Sequence, residues 1–116
     1  MSLTNKQKQD IFDLVYSRTA GRATMVLVDD LKKQGLTENN LFVRGESVII
    51  SASEVKNILW QMNSQQVDFG SIEDVRGIVF GPYRGSNTYE MWRMVITPYS
   101  PSPQRVHISQ LRYPNS

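Results

Sequence analysis

The sequence contains no cysteine, which excludes disulfides, thiolate metal sites and thiol nucleophiles. It has one histidine, His107, so any nucleophile–base pair must join a serine or threonine to that single imidazole. Ser109 shares a strand face with His107, but two side chains on one face do not by themselves make such a pair. No G-x-S-x-G elbow, H-E-x-x-H pair or P-loop is present. The adjacent acids Asp29-Asp30 and Glu73-Asp74 diverge on a helix, so neither pair makes a metal cradle. The expectation is a protein that is not an enzyme and needs no metal and no cofactor, with His107 facing solvent. No apolar run approaches the roughly 18 residues that a membrane helix needs. The stretch Met1 to Asp10 is polar and has no apolar signal core. We therefore expect a cytoplasmic protein with no membrane partner.

Negative charge is scarce in the last third of the chain. Residues 75–116 carry Glu90 against five arginines (Arg76, Arg84, Arg93, Arg105 and Arg112), a net +4. Residues 1–74 carry eight Lys/Arg and ten Asp/Glu, a net −2, and the two parts give the +2 of the whole. Arginine presents a planar fork that pairs with phosphate or carboxylate and also stacks on aromatic rings. On a strand it can equally serve to solvate the surface and discourage edge pairing. With 116 residues, 40% hydrophobic and 21% charged, the chain fits one domain, 1–116, with its own core.

Residues 1–74 read as mainly helical with a short hairpin. Thr4 and Gln7 form a capping box, and Ile11, Leu14, Val15 and Arg18 follow at helical spacing, predicting a helix from about Asn5 to Arg18. Ala23 to Gln34 is predicted to be a second helix, although Ala23 to Val28 also suits a strand. Lys32, Lys33 and Gly35 are its stop signals. Leu41-Phe42-Val43 and Ser47 to Ile50 flank Arg44-Gly45-Glu46 as a short hairpin. Ser51 and Glu54 form a second capping box before a helix from about Ala52 to Asn63, whose apolar face is Val55, Ile58, Leu59 and Met62. Trp60 lies off that stripe, and burial is the expected fate of its ring. Ser64 to Asp74 is a connecting loop.

Residues 75–116 read as a basic, aromatic β-meander of three strands, the fold class being α+β. Ile78 and Phe80 share one face of the first strand and Val79 takes the other. In the middle strand Trp92, Met94 and Ile96 share a face with Glu90, while Tyr89, Met91 and Val95 share the other with Arg93, the two-sided pattern of a central strand. We expect the core to include Ile58, Leu59, Phe80, Trp92, Met94, Ile96, Val106 and Ile108. Between the first two strands, Gly81 to Asn87 is a turn-rich loop with Tyr83 and Arg84 at its tip. Between the last two, Pro98 to Pro103 is an extended, polyproline-like stretch.

The order of strand, Gly-containing loop, Trp-bearing strand, loop and strand over residues 75–113 resembles SH3-like barrels, including the KOW and Tudor types. The resemblance implies a binding module for nucleic acid, peptides or modified side chains. The candidate contact residues are Arg76, Tyr83, Arg84, Arg93, Tyr99, Arg105 and Arg112. An arginine–aromatic face of this kind suits nucleic acid, through phosphate pairing and base stacking. It suits a protein partner equally, because Tyr, Trp and Arg dominate interface hot spots. The two N-terminal helices also allow a helix-turn-helix with the hairpin as a wing. Asp29 and Asp30 on the second helix would repel a phosphate backbone, so the C-terminal face is the better candidate.

Overall fold

A computed structural model describes residues 3–19, 24–63, 72–83 and 91–114 of the chain. Helix α1 (Asn5–Thr19) begins where the capping box places it. The Gln7 amide donates to Thr4 Oγ1 at 3.1 Å and Thr4 N–H donates to Gln7 Oε1 at 2.8 Å. The buried face of α1 is Gln9, Phe12, Val15 and Thr19, which corrects the expected stripe, because Leu14 is 52% exposed. Phe12 sets the rotation by packing edge-on against Phe42 at 5.9 Å.

Helix α2 (Thr24–Lys33) buries Leu27, Val28 and Leu31. It ends in a paired set of turn bonds, Leu36 N–H to Leu31 O and Gly35 N–H to Lys32 O. Gly35 sits at φ +84° between them, the left-handed position that a residue without a Cβ fills at least cost.

The expected hairpin is not formed. Strand β1 is Ser47–Ile50 alone, and Leu41 and Phe42 are consecutive buried residues, 1% and 0% exposed. Phe42 at φ 52° breaks the extended run that a strand needs. Helix α3 spans Ala52–Asn63, matching the sequence expectation. Its cap is divided: Glu54 N–H reaches Ser51 Oγ at 3.4 Å, while Asp74 Oδ1 accepts from Ala52 N–H at 2.8 Å. Val55 and Ile58 are buried, whereas Trp60, expected to be buried, is 59% exposed.

Among the described residues the sheet has five strands rather than three. Strands β2 (Val75–Pro82), β3 (Trp92–Thr97) and β4 (Ser100–His107) follow one another along the chain, but they are part of a larger sheet and not the three-stranded meander expected from the sequence. A 3-10 turn, Ile108–Gln110, leads to β5 (Leu111–Arg112). The strand order is β4-β3-β2-β1-β5, with every pairing antiparallel. The two-residue β5 escapes a sequence reading because it has no alternation to detect. Pro101 and Pro103, expected in a loop, lie in β4 at the sheet edge, where a residue without an N–H does least harm. At Gly77 a Cβ would lie 2.8 Å from Ile96 O, so β2 and β3 need glycine there.

Alternation separates the two faces of the sheet correctly but leaves open which one is inside. Val48, Ile50, Val79, Met91, Val95, Val106 and Leu111 point into the core. Ile78, Phe80 and Ile96 are on the other face, 48%, 48% and 41% exposed, and Trp92 and Met94 are half-buried there. The core positions expected for Phe80 and Ile96 are thereby overturned. Ile58, Val106 and Ile108 are buried as expected.

Candidate binding face

The outward residues of the sheet fall into rows set by the strand register. Ile49 stands between Arg76 and Arg112. Two residues further along, Ser47, Ile78 and Ile96 form the next row. Then Met94 lies opposite Arg105, and Trp92 opposite His107. A register shift between Val79 and Gly81 accommodates Phe80. Arg44, from the turn before β1, stands 5.5 Å over the Phe80 ring. The middle of this face is aliphatic, and Arg76, Ile78, Ile96 and Pro98 line a shallow depression of about 380 Å³ in it.

Arginine surrounds the aliphatic centre. Arg105, which is exposed, lies 4.7 Å from the Trp92 ring and 5.3 Å from that of Tyr83, within cation–π range of both. Among the described residues, Arg44, Arg76, Arg105 and Arg112 make no ion pair with a carboxylate. Beside Arg105, a polar cleft of about 270 Å³ is lined by Glu54, Asn57 and Gln61 of α3 together with Trp92 and Gln104. Burial raises the Glu54 carboxyl above its ordinary 4.5, and the Asn57 bond and the Arg105 charge oppose that shift.

The seven residues proposed from sequence do not form one surface. Arg76, Arg105 and Arg112 are exposed on the outer face, and Tyr83 is half-buried against Arg105. Tyr99 is in the β3–β4 turn, 39% exposed, about seven residues or roughly 20 Å along the strand from Trp92. Arg84, with Gly85 and Asn87 of the same loop, is outside the described residues.

Arg93 is a correction. It is 1% exposed, and its guanidinium donates to Leu41 O at 2.9 Å, Phe42 O at 3.0 Å and Trp92 O at 3.0 Å. These carbonyls occupy the donors that a ligand would need. The Leu41–Phe42 segment, turned inward, presents its carbonyls to a charged group, and a charge can be buried only with such partners.

His107 also departs from expectation, being half-buried rather than solvent-facing. Its ring meets Trp92 edge-on at 4.9 Å. Nδ1 accepts from Ser109 N–H at 3.1 Å and lies 2.7 Å from Ser109 Oγ. His107 is therefore the N-cap of the 3-10 turn. An Nδ1 that accepts from an amide is unprotonated, which leaves the proton of the neutral ring on Nε2. Burial first, and then the Arg93 charge, hold its pKa below the ordinary 6.5. Among the described residues no carboxylate orients Nε2, so the contact with Ser109 has the form of a cap without the third group of a triad. No group of three or more metal-binding side chains occurs among the described residues, and none of their helices is long and apolar enough to cross a membrane.

Sequence reasoning missed Arg44, which its turn position disguised, and the exposure of the Ile78–Ile96 pair. The chain matches no family model, and no curated protein or solved structure is significantly similar to it.

Proposed function

We propose that this protein is a non-catalytic binding module that docks a protein partner on the outer face of its sheet. The observation behind this reading is the cross-strand pair Ile78 and Ile96 with neighbouring Phe80, each between 41% and 48% exposed. Soluble domains rarely leave contiguous apolar surface open unless something covers it. An apolar centre with a polar, arginine-bearing rim is the anatomy of a protein interface. Nucleic acid, the other partner class, is favoured by the stacked Tyr83, Arg105 and Trp92. It is disfavoured by the aliphatic centre, since isoleucine offers no ring on which a base can stack. The SH3-like reading belongs to this proposal. It is supported by the strand order β4-β3-β2-β1-β5 and by the 3-10 turn joining β4 to β5.

The test is a random-peptide display selection on the immobilised protein, with each enriched clone re-measured on Ile78→Asp. Ile78 is half in solvent, so the variant is expected to fold, and chemical denaturation checks that it does. Clones that bind the parent and lose at least tenfold on the variant are expected. If no clone distinguishes the two proteins, this face is not the docking surface. In parallel, short oligonucleotides are titrated at several salt concentrations. An affinity better than about 100 µM at 50 mM salt that falls steeply with added salt would favour nucleic acid instead.

A further inference from the structure

Resting on the reading of this face as a protein-docking surface, we infer that its partner is an amphipathic helix carrying an acidic residue at each end of a short apolar stripe. The outward positions of β1 to β5 hold no carboxylate, yet Arg76, Arg112 and Arg105 stand there without ion pairs among the described residues. Glu54 feels the Arg105 charge across the cleft but forms no ion pair with it. No described residue supplies these arginines with a carboxylate partner, and the inferred helix is the source of the complementary charge. Two copies of this face brought together would set arginine against arginine, which disfavours a symmetric pairing.

The spacing of the charges is fixed by the register. From Arg76 the path runs two residues to Ile78, across to Ile96, two residues to Met94 and across to Arg105. That is about 13 Å along the strands and about 10 Å across them, a diagonal of roughly 16 Å. A helix laid on that diagonal covers it in about 11 residues, or three turns. Acids at positions i and i+11 then share one side of the helix, with apolar residues at i+4 and i+7 over Ile78 and Ile96. A helix suits an open sheet face better than an extended segment. Its backbone groups are already paired, whereas a strand lying on side chains would leave its own without partners.

Three displayed libraries test this, each a helix-favouring scaffold with randomised apolar positions. The first fixes Glu at i and i+11, the second Gln at both, and the third is unstructured and Gly-rich with Glu at i and i+4. Binders from the first library that weaken at least tenfold on Ile78→Asp, and severalfold on Arg76→Gln and Arg105→Gln, are expected. Their affinity should also fall with salt. Because Arg105 packs on Trp92, chemical denaturation checks that Arg105→Gln is folded, and Arg76→Gln carries the charge test without that contact. Equal yield from the Gln library overturns the acidic partner and leaves the docking reading standing. Yield from the Gly-rich library alone overturns the helix. If no clone from any library depends on Ile78, the docking reading falls as well. Oligonucleotide binding that needs Arg76 but not Ile78 would assign the arginines to nucleic acid.

Discussion

Tyr113 shows how much a buried polar atom can decide. Its hydroxyl accepts from Phe42 N–H at 2.7 Å and donates to Glu46 Oε1 at 2.8 Å, while its ring stacks on Phe42 at 4.7 Å. These contacts hold Phe42 at φ 52°, a conformation that costs a bulky residue of order 1–3 kcal/mol. Burial, the largest cause, pushes the phenol well above its ordinary range. Tyr113→Phe keeps the stacking and removes the acceptor of the Phe42 amide. We expect a loss of about 1–3 kcal/mol in urea denaturation; a change under about 0.5 kcal/mol would mean that the amide finds another partner. His107 makes a different prediction. Its folded pKa lies below 6.5, so above pH 6.5 the ring is neutral in both states and its stabilising contribution is complete. As pH falls below 6.5 the unfolded chain takes up a proton that the folded chain refuses, and stability declines until the folded pKa is passed. Glu54, raised by burial, has the opposite sign, favouring the fold at low pH and fading as pH rises through its folded value. The wild type is therefore expected to lose more stability than His107→Gln between pH 7.5 and 5.5. Equal losses, measured by denaturation at the two pH values, would count against a depressed imidazole.

The elements differ in how openly the sequence declares them. Helix α1 was legible from Thr4 and Gln7, and α3 from the apolar pattern after Ser51, because caps and helical stripes are local signals. Alternation made β-structure in the C-terminal part legible, along with the two faces of β3, but not the number of strands in the sheet. What stayed hidden was tertiary. Arg93 reads as a surface charge until the Leu41 and Phe42 carbonyls, about fifty residues earlier in the chain, are seen to surround it. Ile96 reads as core until the sheet is seen to turn Val95 inward instead. The site residues suffered the same fate, since Arg76 and Arg112 meet only across β1. Adjacent residues of β3 make the point measurable. Val95→Ala, at 0% exposure, should cost about 2 kcal/mol or more. Ile96→Ala, at 41% exposure, should cost less than about 1 kcal/mol, the usual range for surface changes away from packed features. Equal costs would mean that the outer face is already covered in the free protein.

At the scale of the whole molecule, residues far apart in the sequence hold each other in place. Tyr113 N–H donates to Gln9 Oε1 at 2.8 Å, a bond between residues 104 positions apart, and Gln9 Nε2 passes the connection on to Asp13. β5 pairs with β1 through Ile49–Arg112 and Ile50–Leu111, across some sixty residues. Deleting residues 111–116 should therefore abolish the cooperative unfolding transition seen by circular dichroism, rather than merely lower its midpoint. A truncated chain that still unfolds in one sharp step would show that β5 is dispensable. The same long-range bond has a consequence for biosynthesis. Pairings between distant parts of the chain form slowly, and at about 5–20 residues per second the ribosome adds Tyr113 several seconds after Gln9. During that interval Phe42 lacks the ring that stacks on it and β1 lacks its outer neighbour. The nascent chain thus waits with part of its core uncovered until β5 emerges.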